Sequence, residues 1–254
     1  LLAVLTVSSA VVWAEGKAPK SASGEVNWKA QVIRAKGAGA PDVRAQNAAQ
    51  ARLGAERAAL LDAFRNLLAQ VKGISVDGDR RMSDVMQRDE IRSRVEGVVK
   101  GYSIVDKRYY SDNGVEVEIE VTMAALSDIV APDAAVPSVA PTSAPERTAT
   151  GLVIDARGLS VRPALLPRVL DHTGKPLYSV DSLSSEARKT SGVAAYVQTI
   201  DDAKKSMKAG EKPFVVKAEK TVGVDVQLTA DDAKKLASIN TSFLADGRVV
   251  IVLN

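Results

Sequence analysis

The side chains that could do chemistry here are few, and their types limit the choice. The 254 residues contain one histidine, His172, and no cysteine. Thiolate nucleophiles, cysteine metal ligands and histidine pairs are excluded, and with them most zinc sites. Four segments carry the remaining candidates. Gly151-Leu152-Val153-Ile154-Asp155-Ala156-Arg157-Gly158 reads as a strand delivering an aspartate and an arginine to its end. Asp171 and His172 stand side by side in a turn containing Gly174. Gly37-Ala38-Gly39-Ala40 has the small residues of an anion-binding turn between a strand and a helix. Glu116, Glu118 and Glu120 put carboxylates at every second position of one strand.

Each candidate also has a plainer reading. The first segment resembles the opening strand of the zinc-dependent cell-wall amidases, of the type VIDxGHGG, where the strand ends in a metal-binding histidine. Arg157 holds that place here. A catalytic zinc needs three protein ligands, and a lone histidine with carboxylates is a poor substitute. Asp155 and Arg157 share a strand face and are expected to pair with each other or with neighbours. Adjacent residues point apart, so Asp171 and His172 make no dyad, and a turn histidine faces solvent. The glycine turn lacks the lysine and hydroxyl of a Walker loop and the GxGxxG spacing, and Asp42 occupies the helix start behind it. The glutamates line one solvated face, with Lys107 and Arg108 close enough to neutralise it. No catalytic, cofactor-binding or metal-ligating residue is assigned, no cofactor is expected, and the chain reads as non-enzymatic.

Location is clearer than chemistry. Leu1 to Ala14 (LLAVLTVSSAVVWA) is uncharged and ends in small residues, with Val12 and Ala14 where a signal peptidase wants them. The expectation is a secretory signal peptide over 1–14, shortened at its start, and a periplasmic protein with no transmembrane span in the mature chain. The apolar run is shorter than the ~20 residues a spanning helix needs. Formal net charge is +3, and basic and acidic residues alternate. With no basic stripe interleaved with aromatics, nucleic acid is not expected as a partner.

The fold class expected is α+β: two small α/β-layer domains joined by a Pro-rich linker. The linker is 131–150, with Pro132, Pro137, Pro141 and Pro145. The first domain, 25–130, begins with a strand in which Val26, Trp28, Ala30 and Val32 alternate with polar residues, ended by Gly37, Gly39 and Pro41. Asp42 caps a helix running to Lys72. Leu53, Leu60, Leu61, Phe64, Leu67, Leu68 and Val71 form its apolar face, and its many alanines let it lie close across a sheet. A second helix spans Ser83 to Val99. Tyr102–Tyr109 and Val115–Met123 form a hairpin, with Arg108 set opposite Glu118, Tyr109 opposite Val117, and Gly114 in the left-handed region. The second domain, 151–254, holds a strand at Leu152–Ala156 and a hairpin around His172. Thr199 and Thr229 each cap a helix beginning with paired aspartates, and the run Val249–Leu253 is a strand buried on both faces.

The first domain also carries a resemblance. A strand through Ile33-Arg34-Ala35-Lys36-Gly37-Ala38-Gly39 leads to an Ala-rich helix reaching Ala58-Ala59-Leu60-Leu61-Asp62-Ala63-Phe64-Arg65-Asn66-Leu67-Leu68. A second helix then passes through Val95-Glu96-Gly97 and Gly101-Tyr102 to the hairpin. The pattern resembles the twenty-kilodalton outer-membrane lipoprotein family, which includes the flagellar protein FlgP and is related to the N-terminal domain of FlgT. The resemblance implies a periplasmic or outer-membrane-associated structural or assembly protein, with the flagellar basal body as one setting. Its partners would be envelope proteins or copies of itself. The lipid-bearing cysteine of that family is absent here. A periplasmic module for a ligand or the cell wall is the other reading, and an apolar pocket between the domains would support it.

Overall fold

The computed structural model describes residues 24–131 and 149–253. The leader at 1–14 and nearly all of the expected linker lie outside them. The described residues form two α+β units, each built on its own sheet.

The amino-terminal sheet has the order β1-β2-β4-β3, from β1 (Glu25–Asn27), β2 (Val32–Gly39), β3 (Ser103–Tyr109) and β4 (Val115–Thr122). All its pairings are antiparallel. Helix α1 (Ala48–Gly73) lies along β2 and β4. The alternation from Val26 to Val32, expected as one strand, is a hairpin instead. The chain reverses at Gln31, whose φ is 58°, and Val26 pairs with Ile33. Nor do the glycines end the second strand, because β2 runs through Gly37 to Gly39 and pairs with β4 throughout. A Cβ on Gly37 would stand 2.0 Å from the Ala63 backbone nitrogen, and one on Gly39 1.9 Å from the Ala55 carbonyl oxygen. They are points of contact between strand and helix rather than breaks.

That closeness decides which helix face is buried. Ala51, Ala55, Ala59, Ala63, Leu67 and Val71, spaced by four, are buried. Leu53 and Leu61 are about half exposed, and Leu60, Phe64 and Leu68 pack at the margin of the core. Only methyl-sized groups fit where the backbone comes so near, so alanines take the face expected for the leucines. The helix cap is Asn47, which accepts from the Gln50 N–H. Asp42 instead closes an earlier turn by accepting from the Arg44 N–H. The single second helix expected is two, α2 (Met82–Val85) and α3 (Asp89–Lys100). Asp89 and Glu90 open a fresh first turn that complements the dipole of α3.

The hairpin keeps its predicted inner face, with Val115, Val117, Ile119 and Val121 buried. Its register differs from the expectation. Tyr109 pairs with Val115 and Arg108 with Glu116, and a bulge falls between Ile104 and Asp106. Asn113, at φ 66°, takes the left-handed position expected of Gly114. The Tyr110 N–H donates to the Gly114 carbonyl, and Asp112 accepts from the Gly114 N–H, so the three-residue loop is 111–113, one position earlier than expected. Helix α4 (Met123–Val130) follows β4 directly and was not foreseen.

The carboxyl-terminal sheet has the order β7-β6-β10-β9-β5-β11-β8. Its strands are β5 (Gly151–Asp155), β6 (Val169–Leu170), β7 (Pro176–Tyr178), β8 (Ala195–Val197), β9 (Pro213–Val222), β10 (Asp225–Leu228) and β11 (Val249–Val252). Strands β9, β5, β11 and β8 run parallel, and β11 is buried along its whole length between β5 and β8. Thr199 and Thr229 cap α6 (Ile200–Lys205) and α7 (Ala230–Ala237), accepting from the Asp202 and Asp232 N–H groups as expected. Helix α5 (Ser185–Thr190) and strands β8 and β10 are additions to the reading of the sequence.

One cluster of buried side chains continues through both units. Helix α4 packs on α5, and the Leu165 and Leu166 N–H groups bond to the Ser75 and Val76 carbonyls.

Candidate functional site

The segments singled out in the sequence fold into closed local structures. Arg157 clasps Asp155 at the carboxyl end of β5, with Nε at 2.8 Å and Nη2 at 2.9 Å. That bonding holds the Asp155 carboxyl below the ordinary carboxylate range. Asp171 is spent on its own turn, accepting from the Thr173 hydroxyl at 2.6 Å, the Thr173 N–H at 2.8 Å and the Lys175 N–H at 2.9 Å. The Thr173 bond leads in lowering its pKa. On β4, Glu120 takes Arg34 at 2.9 Å, while Glu116 lies 3.9 Å from Lys36 and 3.8 Å from Arg108. Lys107, expected to neutralise this row, points the other way and bonds to Glu56 on α1. Among the described residues no group of three or more His, Cys, Asp or Glu is placed to hold a metal.

Two features of the assembled fold offer more. The first is a cleft of about 430 Å³ where the units meet. The β1–β2 hairpin supplies Asn27, Trp28 and Lys29, and the carboxyl ends of β8 and β11 supply Gln198 and Leu253. Ligands often bind beyond the carboxyl ends of parallel strands. The Trp28 ring meets Tyr196 edge-on, with centroids 5.4 Å apart and planes at 78°. The buried Tyr196 hydroxyl accepts from the Ala164 N–H at 3.1 Å and donates to its carbonyl at 3.2 Å. Burial pushes that phenol well above its ordinary pKa. Lys29 and Asp202 close the rim with an ion pair at 2.8 Å, which leads in holding Asp202 below the usual range.

The second feature is the open side of β3, an edge strand of its sheet. Ile104, Val105, Tyr109 and Tyr110 are 42% to 50% exposed there. Large apolar side chains gathered on the open edge of a sheet mark a surface that associates. The strand itself was legible in the sequence, but its place at the edge follows from sheet order alone.

A third place, around Arg168 and Arg80, is a joint. Arg168 grips the buried Asp225 with Nε at 2.9 Å, Nη2 at 2.6 Å and its backbone N–H at 2.9 Å. Arg80 grips Asp77 in the same way. Lys208, inside the carboxyl-terminal unit, donates to the Gly192 carbonyl at 3.0 Å and the Gly247 carbonyl at 3.2 Å. Burial pushes its pKa down to about 8.

Residues 151–254 match the family described as Treponema pallidum Tp0624, second domain. The similarity to Tp0624 covers the seven-stranded unit, so the cleft is lined jointly by a Tp0624-like sheet and by the amino-terminal hairpin. The β3 edge lies outside the matched residues. No curated protein matches the chain.

Proposed function

We propose that this is a non-enzymatic structural or assembly protein of a bacterial envelope, periplasmic or docked at the outer membrane, that works by binding protein surfaces. The observation that carries the reading is the β3 edge, a strand paired on one side only, with four large apolar side chains on or beside it about half exposed. The apolar leader in the sequence and the resemblance of residues 25–130 to the FlgP-like lipoproteins favour the envelope. That resemblance makes a ring or disc assembly, such as the flagellar basal body, the setting to test first. No helix among the described residues is long and apolar enough to cross a membrane. The shared core of the two units supports a rigid body, which suits a part that must hold a fixed geometry.

Cross-linking of the tagged protein in intact cells, followed by envelope fractionation, tests the reading. Recovery with ring components or other envelope proteins supports it. A protein that is soluble, monomeric and without cross-linked partners overturns it.

The cleft beside Trp28 favours a second reading, a ligand- or cell-wall-binding module, because it is concave and lined by both units. Binding of cell-wall fragments that is lost in Trp28→Ala would support that role.

A further inference from the structure

We infer that the partner of the β3 edge is a second copy of this chain, paired antiparallel about a two-fold axis at Lys107. The inference rests on the reading of the protein as one that works by association. The backbone sets which residues can pair. The Tyr110 N–H bonds to Gly114, and the strands pair Tyr109 with Val115 and Arg108 with Glu116. By the alternation of an antiparallel ladder, Arg108 and Asp106 spend their backbone groups on β4. Lys107 and Tyr109 turn theirs to the open side. A two-fold continuation of the sheet must therefore bond through Lys107 and Tyr109 and keep each side chain on its own face, the alternation ending at the bulge between Ile104 and Asp106.

Charge selects among the registers that remain. Asp106 already lies opposite Glu118 on β4. A register centred on Asp106 would place two such aspartates together between two glutamates, a row of four carboxylates. Centring on Arg108 faces arginine with arginine and carries Val105 and Ile104 past the partner strand towards its turn. Arg108 bonds Asp106 of its own copy at 2.8 Å, and centring on Lys107 sets each Asp106 opposite the other copy's Arg108 as well, so that the four charges alternate. The exposed Val105, at the bulge, then lies towards Tyr109 of the second copy. Lys107 faces its own counterpart, but each is neutralised by its own Glu56. The charges Asp106, Lys107 and Arg108 keep an arbitrary strand off this edge and match in one register. The result is a closed dimer with a continuous eight-stranded sheet, twice the four strands of one copy.

The absence of cysteine makes the test clean. Single-cysteine variants of the full chain at positions 105 to 109 are treated with a short thiol cross-linker. Sedimentation velocity follows the dimer in parallel. The dimer cross-links most strongly at Lys107→Cys. Asp106→Arg and Arg108→Asp each weaken it about tenfold or more, and the double swap restores it because the opposite charges meet again. A chain monomeric throughout overturns the pairing, as does cross-linking strongest at 106 or 108 or a double swap without rescue. If the pairing fails while cross-linking in cells still captures envelope proteins, the assembly reading stands with a different partner. If both fail, both are wrong.

Discussion

Gly37 on β2 and Ala63 on α1 are in backbone contact: a single added Cβ would stand 2.0 Å from the Ala63 nitrogen. Neither a strand nor a helix can yield at one residue without shifting its neighbours. Gly37→Ala should therefore destabilise the protein by about 3 kcal/mol, at the upper end for overpacking. Gly54→Ala, where a Cβ meets nothing within 4 Å on the same helix, should be neutral or stabilising by up to ~1 kcal/mol. Urea denaturation of the two variants checks this, and equal midpoints would mean that the helix can move off the sheet.

This contact shows what the sequence could and could not reveal. Composition showed that an alanine-rich helix lies close to a sheet, and the threonine caps at Thr199 and Thr229 and the inward valines of β4 were readable from local pattern. The face of α1 was not, because Leu53 and Leu61 are as apolar as any core residue, and only the glycines opposite decide that alanine goes inside. Gly37 and Gly39 read locally as breakers because a turn and a close approach make the same demand on the residue. The joint cleft, the β3 edge and the half-buried Lys208 depend on sheet order and on packing between distant segments, which no window of sequence contains.

Trp28 and Tyr196 couple the two units through a ring contact at 5.4 Å. Removing the indole also uncovers the margin of the shared core. Trp28→Ala should cost about 2 kcal/mol, combining the ring-pair energy with part of the buried area. It should also raise amide exchange in β1 and β8 more than in β4. Exchange mapped by mass spectrometry tests this, and an even rise over both units would place the coupling elsewhere.

Asp225 is 2% exposed and takes three hydrogen bonds from Arg168. Asp225→Asn keeps the shape but loses the charge facing the guanidinium. A loss of about 3 kcal/mol is expected, the low end for a broken buried pair because Arg168 itself is about half exposed. The Asp77→Asn change in the exposed neighbouring pair should cost less than about 1 kcal/mol. If the two changes cost the same in denaturant titrations, burial is not what gives the Arg168 pair its weight.

Lys208 gives the fold a dependence on pH. Its folded pKa lies near 8, below the ~10.4 of an unfolded lysine, because burial disfavours the ammonium. Between these values the unfolded chain holds a proton that the folded chain has released, so stability rises with pH across the window. Below about pH 8 both states are charged and the whole cost of burying the ammonium is present. As pH climbs towards 10.4 that cost is relieved, while the neutral amine still has protons to donate to the Gly192 and Gly247 carbonyls. Measured against Lys208→Met, which does not titrate, the wild-type chain should gain about 2 kcal/mol between pH 7.5 and 10. Denaturant titrations of both proteins at the two pH values isolate this group from the other titrating residues. A difference between the proteins that stays constant with pH would mean that the lysine is solvated in the folded state.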